Sequence, residues 1–293
     1  MKEIVIISGK GGTGKTSLTA SFAALAHNAV LADCDVDAAD LHLVLDPEIV
    51  QTQKFISGHE AVIQPEKCIN CGLCQTQCKY QAIKEDLVNS AYQVDPLACE
   101  GCGVCVHFCP VSAIDFPDRE SGHWYISKTR FGMLVHARLA IGGENSGKLV
   151  SQVRESAKKL AAEQKNDLII VDGPPGIGCP VIASVTGADA VVVVTEPTLS
   201  GEHDLERVLG LAKFFRIPAY LCINKWDINP DLSESIVTGA EQAGAKVLGR
   251  VSYDNCVTTA QIAGRPVVEL PPNTVTKQIE EIWRNLGRAL QLQ

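Results

Sequence analysis

Eight of the twelve cysteines in this 293-residue chain lie in two runs that share one spacing, C-x2-C-x2-C-x3-C. Thiolate sulfur is a ligand for soft and borderline metals, so the runs predict either iron–sulfur clusters or zinc. Structural zinc sites usually pair two C-x2-C knuckles across a longer gap, whereas three cysteines within seven residues favour iron–sulfur clusters. Pro110 follows the second run, but Lys79 takes the equivalent place after the first. The first run is Cys68, Cys71, Cys74 and Cys78, and the second is Cys99, Cys102, Cys105 and Cys109.

A second chemical motif, GKGGTGKT at residues 9–16, satisfies the phosphate-binding pattern G-x-x-x-x-G-K-[ST]. It follows the apolar run EIVIIS and opens a run of good helix formers, which is the context that such a loop requires. Backbone N–H groups and the helix N-terminus would hold phosphate oxygens, Lys15 would reach the β- and γ-phosphates, and Thr16 would bind Mg²⁺. The nucleotide contacts expected here are Gly9, Lys10, Gly11, Gly12, Thr13, Gly14, Lys15, Thr16 and Ser17.

Asp172 is a further candidate Mg²⁺ ligand because it ends the apolar run LIIVD. The glycine- and proline-rich turn at 173–176 follows directly, and the N–H of Gly176 can face a γ-phosphate and respond to its loss. The competing interpretation of Asp172 is a carboxylate that merely caps a helix.

Apolar, strand-like runs alternate with helix-like runs in residues 1–59 and again in 118–293. This alternation predicts an α/β fold with a doubly wound, mostly parallel sheet. The pattern breaks at 60–117, where the stretch 68–83 repeats as 99–114 with a shift of 31 residues. We therefore predict one nucleotide-binding domain in two parts, 1–59 and 118–293, with a duplicated module inserted at 60–117.

Composition limits the function classes. The formal charge of -8 argues against a non-specific nucleic-acid binder, which needs a basic face. Between residues 60 and 117 there are three Lys and seven Asp or Glu, and 3 − 7 = −4, so this stretch favours a basic docking partner. No run of eighteen apolar residues occurs and residues 1–8 lack a signal-peptide layout, so we expect a cytoplasmic location without a membrane span. The apolar face of the terminal stretch 274–291 is expected to dock on the core.

Lys10 gives the phosphate loop the form K-G-G-T-G-K-T, which resembles the deviant Walker A motif of the MinD/ParA/nitrogenase iron protein superfamily. The resemblance implies an ATPase that binds ATP or ADP with Mg²⁺ and dimerises with itself or with a related subunit. In the dimer Lys10 would touch the partner's phosphates. Asp35, in the acidic loop 33–37, would bind Mg²⁺ and orient the attacking water, and Asn224 would read adenine. The catalytic residues implied are Lys10, Lys15, Asp35 and Asp172. A surface lysine and a solvated acidic loop are the competing interpretations.

The inserted module resembles a bacterial two-cluster ferredoxin. The whole chain is therefore similar to MinD-like ATPases with an inserted ferredoxin domain, often described only as cobyrinic acid a,c-diamide synthase-like. In such ferredoxins the fourth cysteine of each run ligates the other cluster. The resemblance implies one [4Fe–4S] cluster on Cys68, Cys71, Cys74 and Cys109 and a second on Cys99, Cys102, Cys105 and Cys78.

The leading hypothesis couples ATP-driven dimer switching to electron transfer, or to iron–sulfur or metal-cofactor assembly, on a partner protein. A cobyrinate-type amidation ligase is one alternative, but it would need a glutamine-hydrolysing domain of about two hundred residues. A MinD-like positioning ATPase acting on membranes or DNA is another, which the net acidity and the cysteine runs disfavour. Cys179 resembles a cluster-holding cysteine of the nitrogenase iron protein, but no second such cysteine is evident, so a structural role is favoured.

Overall fold

The computed structural model describes residues 1–86, 91–143 and 145–292, which fall into two units. The larger unit comprises Met1–Thr52, Trp124–Arg138 and Ser146–Gln293, and the smaller unit comprises Gln53–His123 and Leu139–Asn145. The stretch 60–117 lies inside the smaller unit. Its limits as an inserted domain stay a prediction.

The strands and helices of the described residues are numbered in chain order. The strands are β1 (Lys2–Ser8), β2 (Ala29–Asp33), β3 (Glu48–His59), β4 (Val62–Ile63), β5 (Ile83–Asp86), β6 (Ala91–Val94), β7 (Ile114–Asp115), β8 (Asp118–Thr129), β9 (Gly132–Leu139), β10 (Leu168–Pro175), β11 (Ala190–Thr195), β12 (Ala219–Asn224) and β13 (Lys246–Val251). The helices are α1 (Lys15–Leu25), α2 (Leu41–Leu45), α3 (Leu73–Gln77), α4 (Val104–Phe108), α5 (Ser146–Gln164), α6 (Cys179–Val185), α7 (Leu199–Phe214), α8 (Pro230–Gln242), α9 (Asn255–Ile262) and α10 (Thr274–Leu290).

Nine strands form one sheet in the order β13-β12-β11-β1-β10-β2-β9-β8-β3. The pairs from β13 to β9 are all parallel. The connection after β1 leads to β2 on one side of it, whereas the connection after β10 crosses β1 to reach β11 on the other side. Such a reversal point opens a crevice at the carboxyl ends of the strands, where open α/β sheets bind ligands. The sheet therefore places the end of β1, and the loop after it, at that crevice.

The central strands are apolar along their whole length because they are covered on both faces. Ile4, Val5 and Ile6 in β1 have no exposed surface, and the valines of β11 are equally buried. Helices α1 and α10 contribute to the same core, where Phe22 and Trp283 lie with ring centroids 5.0 Å apart. The predicted α/β fold with a doubly wound, mostly parallel sheet is confirmed.

Three strands at one side of the sheet were not predicted. Strands β3 and β8 are each twelve residues long, and β9 follows β8 after only Arg130 and Phe131. A connection this short requires β8 and β9 to run antiparallel. Most side chains of β3 are exposed, so its sequence carries no regular alternation of apolar and polar residues. By residue range, β3 and β8 are each divided between the two units.

Helix α10 docks on the core of the larger unit, as the sequence predicts. Its buried face consists of Val275, Ile279, Ile282, Leu286 and Leu290. An Asn273 capping box fixes its start, because the Asn273 side chain accepts from the Thr276 N–H while the Thr276 hydroxyl accepts from the Asn273 N–H. Across residues 1–86, 91–143 and 145–292, no helix has the length and apolar character needed to cross a membrane.

The smaller unit repeats one local structure twice. Helices α3 and α4, five residues each, both begin after a glycine with positive φ, at Gly72 (φ 73°) and Gly103 (φ 72°). Two short antiparallel pairs, β4 with β7 and β5 with β6, accompany them. A small apolar core includes Ala61, Ile83 and Ile114. The sequence repeat, whose two copies are offset by 31 residues, is therefore also a repeat in structure.

His136 of β9 is a buried titratable group of the larger unit. Its Nε2 lies 2.8 Å from the Ser127 hydroxyl, and its ring stacks with the rings of Tyr125 and His42. Burial, and the nearby His42, lower the pKa of His136 from 6.5 to about 4. The folded protein therefore keeps this ring neutral under mildly acidic conditions.

Acid should destabilise the fold through His136. Because its folded pKa is below its unfolded value, the unfolded chain binds the additional proton, and stability falls as the pH drops from 6.5 to about 4. The loss reaches about 3 kcal/mol at most. Urea unfolding of the wild type and of His136→Gln between pH 7 and pH 4.5 measures it, with the exposed His203→Gln as control. An equal pH slope in the wild type and in His136→Gln would refute this assignment.

Candidate functional site

The phosphate loop lies between β1 and α1 and is tied to the end of β12. The Asn224 Nδ2 donates to the carbonyl oxygen of Thr13 at 2.8 Å. Gly14 has a φ of 92°, and a Cβ there would collide with the same Asn224 amide. Only glycine fits this position, because it needs both the left-handed backbone and the space. Asn224, expected to read adenine, is thus placed against the loop.

Acidic side chains meet the start of α1 at the carboxyl ends of β2 and β10. Asp33 and Asp172 are paired across these parallel strands and have no exposed surface. The hydroxyls of Thr16 and Thr19 donate to the two oxygens of Asp172 at 2.8 and 3.0 Å. Lys15 Nζ lies 3.5 Å from Asp35 Oδ2. The predicted Lys15, Thr16, Asp35 and Asp172 therefore come together at one edge of the sheet.

Asp33 has a structural role that the sequence did not indicate. Its two carboxylate oxygens accept from the N–H groups of Asp35 and Leu41, at 3.1 and 3.2 Å. It therefore holds the backbone of the acidic loop in a fixed turn. A strand-ending Asp followed by a polar loop was the available signal, since Asp side chains often bond backbone N–H groups a few residues on.

Asp33, Asp35 and Asp172 form an acidic cluster. Their combined negative charge exceeds the single positive charge of Lys15 beside them. Burial raises the pKa of Asp172 even though Lys15, Thr16 and Thr19 oppose the shift. Burial, then the charge of Asp172, raises the pKa of Asp33 well above its usual value. Burial likewise raises the pKa of Asp35 against the effect of Lys15. A divalent cation would favour the ionised carboxylates, so this environment suits one.

The donors present match Mg²⁺ in kind. Mg²⁺ prefers hard oxygen ligands and takes one or two carboxylates together with phosphate and water. Thr16 and Asp172 supply such oxygens beside the phosphate loop. Among the described residues, no group of three or more His, Cys, Asp or Glu is arranged to hold a metal ion. The protein side chains would therefore complete a Mg²⁺ site only together with a bound nucleotide.

Lys10, expected to act across a dimer, is bound within its own chain. Its Nζ lies 2.7 Å from Glu196 Oε1 and donates to the hydroxyls of Thr198 and Ser200, at 3.0 and 3.2 Å. The second oxygen of Glu196 lies 2.9 Å from Lys225 Nζ. Sequence reasoning missed Glu196 and its neighbours. The available signal was that Thr195 ends an apolar strand, which brings the next residues to the same edge of the sheet.

The turn after β10 is closed against β1. The N–H of Gly176, expected to face a γ-phosphate, donates to the carbonyl oxygen of Ser8 at 2.8 Å. Gly176 has a φ of 91°, which only glycine adopts without strain. The turn must therefore rearrange before this N–H can reach a phosphate.

All twelve cysteines are free thiols, and eight of them surround two cavities in the smaller unit. The two cavities are similar in size. Cys71 and Cys102 are exposed, whereas Cys74 and Cys105 are buried. The cysteines of the first cavity are Cys68, Cys71, Cys74 and Cys109, and those of the second are Cys78, Cys99, Cys102 and Cys105.

The aromatic side chains that line the two cavities differ, because Tyr92 lines the first cavity whereas Tyr80 and Phe116 line the second. A Cβ on Gly72 would meet the Tyr92 hydroxyl at 3.0 Å, whereas one on Gly103 would meet the Phe116 ring at 3.4 Å. Burial raises the pKa of the Cys105 thiol to about 11 and also raises that of Cys74. These two thiols therefore stay protonated at neutral pH unless a cation stabilises the thiolates.

Cys179 lies in the larger unit, exposed at the start of α6. Cys34 and Cys222 are buried, and Cys256 is half-buried. The structural role favoured for Cys179 stays a prediction.

Residues 4–267 match the model of the CobQ/CobB/MinD/ParA nucleotide-binding domain. The chain belongs to this family. It is 37% identical over 230 residues to an uncharacterised protein of Methanocaldococcus jannaschii, covering 78% of this chain and 79% of that protein. It is 25% identical over 307 residues to the septum site-determining protein MinD of Bacillus subtilis, covering 99% and 91% of the two chains.

Solved structures show the same fold. The cell division ATPase MinD of Pyrococcus furiosus superposes with a TM-score of 0.59 at 18% identity, covering 98% of this chain and 99% of that one. The Pyrococcus horikoshii MinD complexed with Mg-ADP also gives 0.59, at 17% identity and covering 98% and 96%. The match to the CobQ/CobB/MinD/ParA domain confirms the MinD/ParA family that the sequence motifs predict. The inserted ferredoxin domain receives no support from these comparisons.

Proposed function

We propose that the chain is an ATP-hydrolysing switch of the MinD/ParA type. The observation that carries this proposal is the meeting of Lys15, Thr16, Asp35 and Asp172 beside the phosphate loop. Family membership supports it, and several relatives of the chain are named as septum site-determining MinD proteins. A second lysine, Lys10, lies in the same loop, as the dimeric members of this superfamily require.

The residues divide the work of phosphoryl transfer among them. The loop N–H groups and Lys15 bind the β- and γ-phosphates and stabilise the charge that develops there. Thr16 and Asp172 would hold Mg²⁺, which neutralises charge on the transferred group. Asp35 would orient the attacking water, and Asn224 would contact adenine. Breaking the Lys15–Asp35 ion pair frees both side chains for these tasks.

ATP binding would bring two chains together across the nucleotide site. Each Lys10 would then contact the other chain's phosphates, in a homodimer or with a related ATPase. Loss of the γ-phosphate would release the dimer through the turn that ends at Gly176. One related structure is a MinC:MinD complex of Aquifex aeolicus, in which an ATPase of this fold binds a second protein. We infer that the ATP-bound dimer of this chain likewise presents a surface to a partner protein.

We further propose that the smaller unit carries two [4Fe–4S] clusters. A four-iron cluster takes four thiolates around a cage, so its ligands must surround a space rather than converge on one point. Each cavity offers three cysteines of one run and the fourth of the other, and this grouping supports the ligand sets that the sequence implies. When bound, such clusters supply one-electron transfer. The two cysteine-lined cavities of the smaller unit therefore also support the proposed ferredoxin-like insert at 60–117.

Two processes are candidates for what the ATP switch controls. The comparisons favour a positioning ATPase, because several relatives are named as septum site-determining proteins. The cysteine cavities favour electron transfer or metallocofactor assembly on a partner, for which the comparisons offer no support. The ATP switch itself is common to both answers.

Two assays on anaerobically purified protein separate these answers. The first is sedimentation with anionic liposomes, and separately with DNA, in ATP and in ADP. Pelleting that depends on ATP would support positioning. The second is the ATPase rate with the clusters oxidised and then reduced, and a change in rate would support redox coupling. An ATPase rate below detection in every condition would contradict the switch.

A further inference from the structure

Lys10 has no donor left for a second chain in this structure. A lysine ammonium has three N–H donors. The three acceptors around it are the Glu196 carboxylate at 2.7 Å, the Thr198 hydroxyl at 3.0 Å and the Ser200 hydroxyl at 3.2 Å. The lysine side chain is 30% exposed and the glutamate side chain 15%, so the ion pair is partly shielded from water. Crossing to a partner requires Lys10 to leave all three acceptors.

Glu196 would keep a counter-ion after Lys10 leaves. Its second oxygen lies 2.9 Å from Lys225 Nζ, which also reaches the carbonyl oxygen of Gly12 at 3.4 Å. Burial opposes ionisation of Glu196, but the hydrogen bonds from Lys10 and Lys225 outweigh it, so the pKa of Glu196 lies below its usual value. The carboxylate therefore stays charged at neutral pH. Because Lys225 remains, release of Lys10 does not leave an unpaired buried charge.

We propose that Glu196 is a latch that holds Lys10 in its own chain and thereby raises the protein concentration at which the ATP-bound dimer forms. This inference rests on the proposed dimer switch and adds a positioning residue to it. Thr198 and Ser200 complete the latch as neutral acceptors. The latch opposes closure until bound ATP on a partner offers Lys10 a more strongly charged acceptor, the phosphates.

The sharpest variant is Glu196→Gln, because glutamine keeps the shape and an acceptor oxygen but loses the charge. A partly exposed ion pair contributes at most about fivefold to an equilibrium, and a symmetric dimer breaks two latches. The dimer dissociation constant, measured by sedimentation with a non-hydrolysable ATP analogue, should therefore fall about five- to twentyfold. Glu202→Gln is the matched control, since Glu202 lies close by in the first turn of α7 and accepts from the Ser235 hydroxyl instead of a lysine. That control should leave the dissociation constant unchanged.

A second pair of variants separates the latch from a general effect of removing negative charge. In a Lys10→Ala variant Glu196 has no ammonium group at position 10 to hold. Adding Glu196→Gln to that variant should therefore not lower the dimer dissociation constant. A Glu196→Gln dimer that is no tighter than the wild type, or equal tightening with and without Lys10, would overturn the latch. If the wild type itself gave no dimer with the analogue, the proposed switch would fail, and the latch with it.

Discussion

ATP hydrolysis should fall about 10²- to 10³-fold when Lys15 is replaced by alanine. Lys15 is the cation of the phosphate loop, and its ammonium stabilises negative charge as it builds up on the transferred phosphoryl group. It is almost fully buried at the base of the loop, where its partner is Asp35. Water therefore cannot replace it. Steady-state release of phosphate at saturating Mg·ATP measures the loss.

The exposed Lys277 on α10 provides the matched control for this variant. Lys277→Ala removes the same charge from the same chain and should turn over ATP at the wild-type rate. Thermal unfolding of both variants shows whether the larger unit remains folded. Wild-type turnover in folded Lys15→Ala would rule out the phosphate loop as the site of hydrolysis.

Iron content should reveal which cysteines share a cluster. Wild-type protein purified without oxygen should hold about eight irons per chain. Changing Cys68 and Cys109 to serine should leave about four, because both line the same cavity. Changing Cys68 and Cys78 should leave almost none, because these two line different cavities. The counts of iron and acid-labile sulfide per chain are the measurement.

The two double variants remove the same number of thiols, so each serves as a control for the other. Cys179→Ser with Cys256→Ser, both in the larger unit, should keep about eight irons. If the two test variants exchanged their iron contents, each run would hold its own cluster and the crossed arrangement would be wrong. If the wild-type protein held zinc in place of iron, the proposal of two [4Fe–4S] clusters would be wrong.

The parts of the fold that depend on burial were predictable. Ile4, Val5 and Ile6 form a continuous apolar run because both faces of β1 are covered, and that run fixed the position of the phosphate loop. The antiparallel extension through β3 and β8 was not predictable in the same way. Strand β3 is largely exposed, and β8 is mostly half-buried or buried without a regular alternation, so no polar–apolar pattern distinguishes either strand from a loop.

The candidate site was predictable where a motif has fixed spacing and not where contacts are remote in sequence. Lys15 and Thr16 follow from the loop pattern, and Asp172 from its place at a strand end. The contact of Lys10 with Glu196 joins residues 186 positions apart, so it depends on which strands neighbour β1. The closed position of Gly176 against Ser8 likewise depends on tertiary packing.

Sedimentation of the wild-type chain, without oxygen, in a non-hydrolysable ATP analogue and then in ADP tests the central claim most directly. A nucleotide switch of the MinD/ParA type predicts a dimer in the analogue and a monomer in ADP at the same protein concentration. The same sedimentation coefficient with both nucleotides, under conditions in which each is bound, would contradict the account.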